Sequence, residues 1–319
     1  MRLALSTPTV SAGTTFVAPV HAPAPGLDPA PVPQVPTAPS EQETLLMERV
    51  SSAKTMEHIK LLNTTPRVWK SPGYAAAAEY VVAQLIAAGW DARIEERESS
   101  GMWGAKGIVK NVVAERKGTA ADGERKLVIA GAHLDSVPRG PGANDNASGS
   151  GTLIEIARSL AGIDTRNDIR FVWFDGEEAG LLGSSAYAKN MSKEERERSV
   201  AMINMDMVGS QNGDIGFGLG MKSGNAMGDA IKGVALRTGS AAVLRAERHS
   251  RSDHASFDNV GIPALDFGVA VKTLNHDDPF YHSPQDTLDK INPQVLEGYG
   301  DLIAVTVLEL ANRSARYQG

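Results

Sequence analysis

The chain has 319 residues, 42% of them hydrophobic, no cysteine, and a formal net charge of −6. That is enough apolar material for a sizeable core, and an acidic balance without a basic footprint argues against nucleic acid as a partner. Without cysteine there is neither a disulfide nor a thiolate ligand, so a bound metal would have to rest on His, Asp and Glu. No apolar run reaches the ~18 residues expected of a membrane span.

In chain order, the first segment stands apart. Met1 to Leu5 begins like an export signal, but Ser6, Thr7, Pro8 and Thr9 interrupt its apolar run. Pro19 to Pro39 is dense in Pro and Ala, which predicts an extended or disordered linker. The expected division is therefore 1–39, signal-like and Pro-rich, and 40–319, folded. The expected location is secreted or periplasmic.

Glu41 to Leu62 reads as one helical stretch, and Tyr74 to Ala88 as a helix ended by Gly89. Trp90 to Glu96 and Lys110 to Glu115 read as strands, with a turn at Asp122-Gly123 before the apolar run Lys126 to Ala130. Ser148 to Leu160 has helical spacing, with Ser148 placed to cap it. Asp168 to Phe174, Ser199 to Met205 and Ala264 to Phe267 are further buried strands. Ser184 to Asn190, Asn225 to Thr238 and Pro293 to Ala311 are helices. This alternation predicts an α/β fold, a three-layer sandwich with a mixed, mostly parallel sheet and helices on both faces.

Polar groups gather where these strands end. His133 and Asp135 follow the first central strand and Asp145 lies in the loop beyond, Glu177 and Glu178 follow the second, and Asp206 follows the third. A further loop adds Tyr281-His282. Carboxyl ends of strands are where sites form in open α/β sheets. Burying several carboxylates together is costly unless cations neutralise them. Two divalent metals, one carboxylate shared between them, would remove the repulsion and could activate a water for hydrolysis. Each piece alone has an ordinary reading as a surface pair, a solvated turn or a satisfied histidine.

Five blocks in order make the chain recognisable: Gly131-Ala-His-Leu-Asp-Ser136, Gly142-Ala-Asn-Asp-Asn-Ala-Ser-Gly149, Phe174-Asp-Gly-Glu-Glu-Ala-Gly-Leu-Leu-Gly-Ser184, Asn204-Met-Asp-Met-Val-Gly209 and Tyr281-His-Ser-Pro-Gln-Asp-Thr287. From about Ser40 onward the sequence resembles the two-zinc (co-catalytic) aminopeptidase family, which includes secreted bacterial leucine-type enzymes. The resemblance implies a zinc metallopeptidase domain over 40–319 with two Zn2+ ions per chain. His133 and Asp206 would hold one ion, Glu178 and His282 the other, and Asp145 would bridge them. It further implies Asp135 as the partner that orients His133, Glu177 as general base and Tyr281 as a donor to the oxyanion. The substrate would be a peptide with a free N-terminus, cleaved at its first bond by a zinc-activated water, and the enzyme is expected to be a monomer.

Arg251 to Phe257 resembles the family segment lining the substrate pocket, and its His254, like His249, reads as a supporting or core histidine. His21, His58 and His276 have no supporting context, and Trp103 reads as a surface aromatic. The stretch from Gly216 to Phe257 hints at a hydrophobic first substrate residue. Three alternatives stay open on this scaffold: a carboxypeptidase or deacylase, a glutaminyl-cyclase-like enzyme with one zinc, and a non-catalytic receptor-like domain.

Overall fold

Ser40 and Ser51 each cap a helix, and together they divide what reads as a single helical stretch. Ser40 accepts a hydrogen bond from the Glu43 amide while Glu43 reaches back to the Ser40 amide, which starts α1 (Glu41–Arg49). Val50 is extended, and Ser51 restarts the helix as α2 (Ser52–Leu62). The computed structural model describes residues 36–211, 215–241, 244–268 and 278–317. The signal-like and Pro-rich segment lies outside them up to residue 35, as do His21 and His276.

Beyond α2 come α3 (Pro72–Ala87), β1 (Asp91–Ser100), β2 (Lys106–Arg116), β3 (Leu127–His133), α4 (Gly149–Ser159) and β4 (Asp168–Phe174). Then follow α5 (Leu182–Asn190), α6 (Lys193–Arg198), β5 (Ser199–Asp206), β6 (Ile215–Leu219) and α7 (Asn225–Arg237). The chain continues through β7 (Leu244–Arg248), α8 (His254–Asn259), β8 (Ala264–Gly268) and α9 (Pro293–Asn312). Ser148 does not cap α4; its hydroxyl instead donates to the Asn144 carbonyl at 2.7 Å. That bond ties back the kinked turn 143–148, so the side chain is already engaged before the helix begins.

The sheet order is β1-β2-β4-β3-β5-β8-β6-β7. Its centre, β4-β3-β5-β8, is parallel throughout, while β1, β2 and β6 join antiparallel neighbours. Successive residues of β3 point to opposite faces, as a pleated strand requires. Val128 and Ala130 enter a core with α2, α3, α4, α7 and α9. Leu127 and Ile129 enter a second, smaller core with Tyr187 of α5 and Phe257 of α8. Helices therefore cover both faces, giving the expected three-layer sandwich. Because the four central strands run the same way, His133, Phe174, Asp206 and Gly268 all end on one edge of the sheet.

Candidate metal centre

Each ligand is placed by its strand and then held through its backbone. His133 closes β3, fully buried, with Nδ1 3.1 Å from the Asp135 carbonyl and 3.5 Å from the Asp135 carboxylate. That fixes the ring so that Nε2 faces outward, where it lies 3.3 Å from both Asp145 and Asp206. The Asp135 carboxylate also accepts the amides of Glu177 and Glu178 at 3.0 and 3.2 Å. Asp286 does the same on the other side, accepting the amides of Asn144 and Asp145 at 2.7 and 2.9 Å. Two buried carboxylates thus clamp the two turns that carry the remaining acidic groups.

Arg67 binds these turns to the strand. Its buried guanidinium donates to the carbonyls of Leu134, Leu62, Pro141 and Gly142 at 2.6–2.9 Å, and its amide donates to Ser136. Gly142 has φ +63, and a β-carbon there would meet the Asp145 carbonyl at 2.2 Å. Met207, directly after Asp206, and His282 itself also have left-handed backbones, with φ 60 and φ 52. Left-handed conformation in non-glycine residues is strained and concentrates at functional sites.

Two groups result. His133, Asp145 and Asp206 form one, and Asp145, Glu178 and His282 the other, with the ligand atoms of each group within 4.8 Å of one another. Asp145 belongs to both. His282 Nε2 lies 3.0 Å from Glu178 and 3.2 Å from Asp145, yet its contacts lack hydrogen-bond geometry, and Glu178 Oε1 is buried with no hydrogen-bond partner. Side chains that approach this closely without pointing at one another converge on a common point between them. A neutral imidazole and oxygen donors in such an arrangement fit a cation.

The electrostatics point the same way. Burial opposes a charged imidazole at His133, but the surrounding carboxylates, Asp206 foremost, outweigh it and hold the ring well above its ordinary pKa. The same contest brings His282 up to about 10. Burial and then the neighbouring Asp145 push Glu178 up to about 7. Burial also raises Glu177, with Asp253, Asp206 and Glu178 adding to the rise against His133. The carboxylate set demands positive charge, and two divalent cations would supply more of it than two protons.

All the residues singled out from sequence as ligands or catalytic groups meet on this one edge. Glu177 belongs to neither metal group. Tyr281 stacks on His282, ring centroids 3.7 Å apart. His249 and His254 lie apart from both groups, in contact with each other. His58 is buried elsewhere against Tyr80, and Trp103 is 72% exposed. Phe217 and Phe257 are core residues, packed on Phe267 and Phe174, so the hinted apolar pocket from Gly216 to Phe257 does not open through them. Sequence reasoning gave Arg67 and Asp286 no role. Asp286 already stood in the last motif, but a carboxylate that binds two amides leaves no spacing signature.

The chain matches Peptidase family M28 over residues 111–307. It belongs to that family. Among curated relatives it is 32% identical over 295 residues to leupeptin-inactivating enzyme 1 of Streptomyces exfoliatus, covering 86% of this chain and 64% of that protein. It is 33% identical over 193 residues to aminopeptidase YwaD of Bacillus subtilis, covering 60% and 42%. The M28 chain thus spans between about two fifths and two thirds of the length of the first curated relatives it matches. Among solved structures, the aminopeptidase from Aneurinibacillus sp. strain AM-1 superposes with a TM-score of 0.74 at 22% identity, covering 86% and 97%. Porphyromonas gingivalis glutaminyl cyclase superposes at 0.70 and 22%, covering 82% and 98%. At these identities the likeness establishes the shared fold.

Proposed function

We propose that this M28 chain is a zinc-dependent aminopeptidase that binds two zinc ions and hydrolyses the first peptide bond of substrates with a free N-terminus. The observation that carries the reading is the pair of three-residue metal groups joined through Asp145, with a further carboxylate, Glu177, beside them and outside both. When bound, two zinc ions would polarise the scissile carbonyl and lower the pKa of the attacking water. His133 and Asp206 would hold one ion, Glu178 and His282 the other, and Asp145 both.

The chain's own groups supply the rest. Glu177 is fixed through its amide to Asp135, which leaves its carboxylate available to accept the proton of the attacking water and return it to the departing amine. Glu177 and Asp206 also offer negative charge to the substrate's α-ammonium. Tyr281, stacked on His282, would donate its hydroxyl to the developing oxyanion. Arg67, the guanidinium that binds the site's turns, is 1% exposed and donates to main-chain carbonyls, so it does not offer a substrate carboxylate the cation a carboxypeptidase needs.

The test is a panel of aminoacyl and N-acylated chromogenic amides, with and without a chelator. The expected result is cleavage of free-amine substrates alone, lost on chelation and restored by zinc. Cleavage of blocked substrates would make the chain a deacylase, and cyclisation of N-terminal glutamine without hydrolysis would make it a cyclase.

A further inference from the structure

Beside the centre just described, and sharing no residue with it, lies a third cluster of metal-binding side chains. His249, His254 and Asp266 each bring one donor atom within 4.8 Å of the other two. The His249 and His254 rings meet edge to face, centroids 4.6 Å apart, and His249 Nε2 is 3.6 Å from Asp266 Oδ2. His254 is fully buried at the start of α8, and its Nε2 lies 2.9 Å from the His249 carbonyl. A carbonyl only accepts, so Nε2 carries the proton and Nδ1 holds a bare lone pair. That Nδ1 is buried and has no hydrogen-bond partner. A ligating histidine typically donates its other ring N–H to such a carbonyl.

The rest of the cluster is equally built. Asp266 is 5% exposed, and its Oδ1 accepts from the Asn204 side-chain Nδ2 at 2.8 Å, which leaves Oδ2 as the oxygen near His249. Asn204 and Asp266 are register partners on β5 and β8, one pleat below Asp206 and Gly268. The His249 ring lies so close to Gly218 of β6 that a β-carbon there would stand 2.1 Å from its Nε2. Glycine at 218 is what gives the ring its seat. The His249 side chain retains 14% of its exposure, enough for an ion to enter.

We propose that His249, His254 and Asp266 form a third divalent-cation site, of the three-ligand kind that zinc occupies with one position left open. The neighbourhood favours it: the negative charges of Asp206 and of fully buried Asp253 both act on Asp266, and neither oxygen of Asp253 has a hydrogen-bond partner. Burial lowers both imidazoles below their usual pKa, His249 to about 3, which opposes the protonated form that could not ligate. Binding at His249 Nε2 moves that ring's proton to Nδ1. It gives up a contact from the Arg251 amide that, at 3.4 Å, is already at the limit of a hydrogen bond. The Arg251 guanidinium is paired with Glu247 at 3.2 Å.

The test uses the full chain, stripped of metal, loaded with zinc alone, desalted and analysed for zinc per folded chain. Three ions are expected in the parent chain and one fewer in His249→Gln and Asp266→Asn. In an Asp145→Asn background, one His249-dependent ion should remain whether or not the chain is a peptidase, so failure of the catalytic reading and failure of this one are told apart. Equal zinc content in parent and folded variants would reduce the cluster to a hydrogen-bonded His–Asp pair and overturn the proposal. Should the variants not fold, imidazole 15N spectra of the parent chain decide. The last equivalent of zinc should move the His249 and His254 ring nitrogens, and their indifference to it would overturn the site.

Discussion

Glu177 and Glu178 are adjacent, and both of their amides bind the same carboxylate, yet their side chains part company. Glu178 meets His282 at 3.0 Å and joins a metal group, whereas Glu177 joins neither. Glu177→Ala is therefore expected to lower turnover by roughly 10²–10⁴-fold, the usual worth of a general base, with zinc content unchanged. Glu178→Ala should lose zinc along with activity. A Glu177→Ala enzyme that loses its metal and keeps its rate would reverse the two assignments. The pair was legible in sequence because a Glu-Glu step directly after a buried strand is conspicuous. Arg67 was not legible, because its four carbonyl partners are main-chain atoms spread from Leu62 to Gly142 and main-chain acceptors carry no sequence identity. Replacing Arg67 by Met would leave those buried carbonyls unmatched at about 1–3 kcal/mol each. Urea titration should show a loss of at least about 3 kcal/mol, among the largest for any single substitution.

At the scale of elements, apolar periodicity found the long helices and the buried strands, and it failed where the pattern is polar or short. α6 is the run Lys-Glu-Glu-Arg-Glu-Arg with no buried residue, held by the Ser192–Glu195 capping box, so it offers no stripe to detect. β7, Leu244–Arg248, lies at the sheet edge and is largely exposed, which removes the alternation that marks a strand. α2 and α3 are joined by a link that pattern reading also missed: His58 Nδ1 lies 2.7 Å from the Tyr80 hydroxyl. Burial lowers His58 from the usual 6.5 to about 4. Between these values the unfolded chain binds the proton and the folded chain does not, so stability falls as pH drops from 6.5 towards 4 and is unaffected by His58 above that window. The effect is at most about 3 kcal/mol, at 1.36 kcal/mol per pKa unit. Chemical denaturation at pH 7.5, 6 and 5 should give a shallower dependence in His58→Gln than in the parent chain, and identical slopes would remove His58 from the account.

At the scale of the molecule, the candidate ligands run from His133 to His282 and meet because β4, β3, β5 and β8 are parallel neighbours whose ends share one edge. Sequence showed that three of these strands end in polar groups but not which strands lie side by side, since that order depends on crossovers through the helices. The convergence has a consequence for the whole fold. Asp145, Glu178, Asp206, Glu177, Asp253 and Asp266 are gathered near that edge, and burial raises four of them, Glu177, Glu178, Asp253 and Asp266, against ionisation. A cation that binds only the folded arrangement stabilises it by RT ln(1 + [L]/Kd), about 2.7 kcal/mol per site at one hundred times Kd. For a domain of this size that corresponds to roughly 2–4 °C in Tm per kcal/mol. Chelation should therefore lower the melting temperature by several degrees in calorimetry, and returning zinc should restore it in step with metal content. Magnesium should restore much less, because imidazole donors suit zinc and oxygen donors alone suit magnesium. A melting temperature indifferent to zinc, in a chain whose peptidase activity needs zinc, would mean that the buried acids are accommodated without cations. The fold would then be a rigid frame into which the metals enter, and not one that they help to hold.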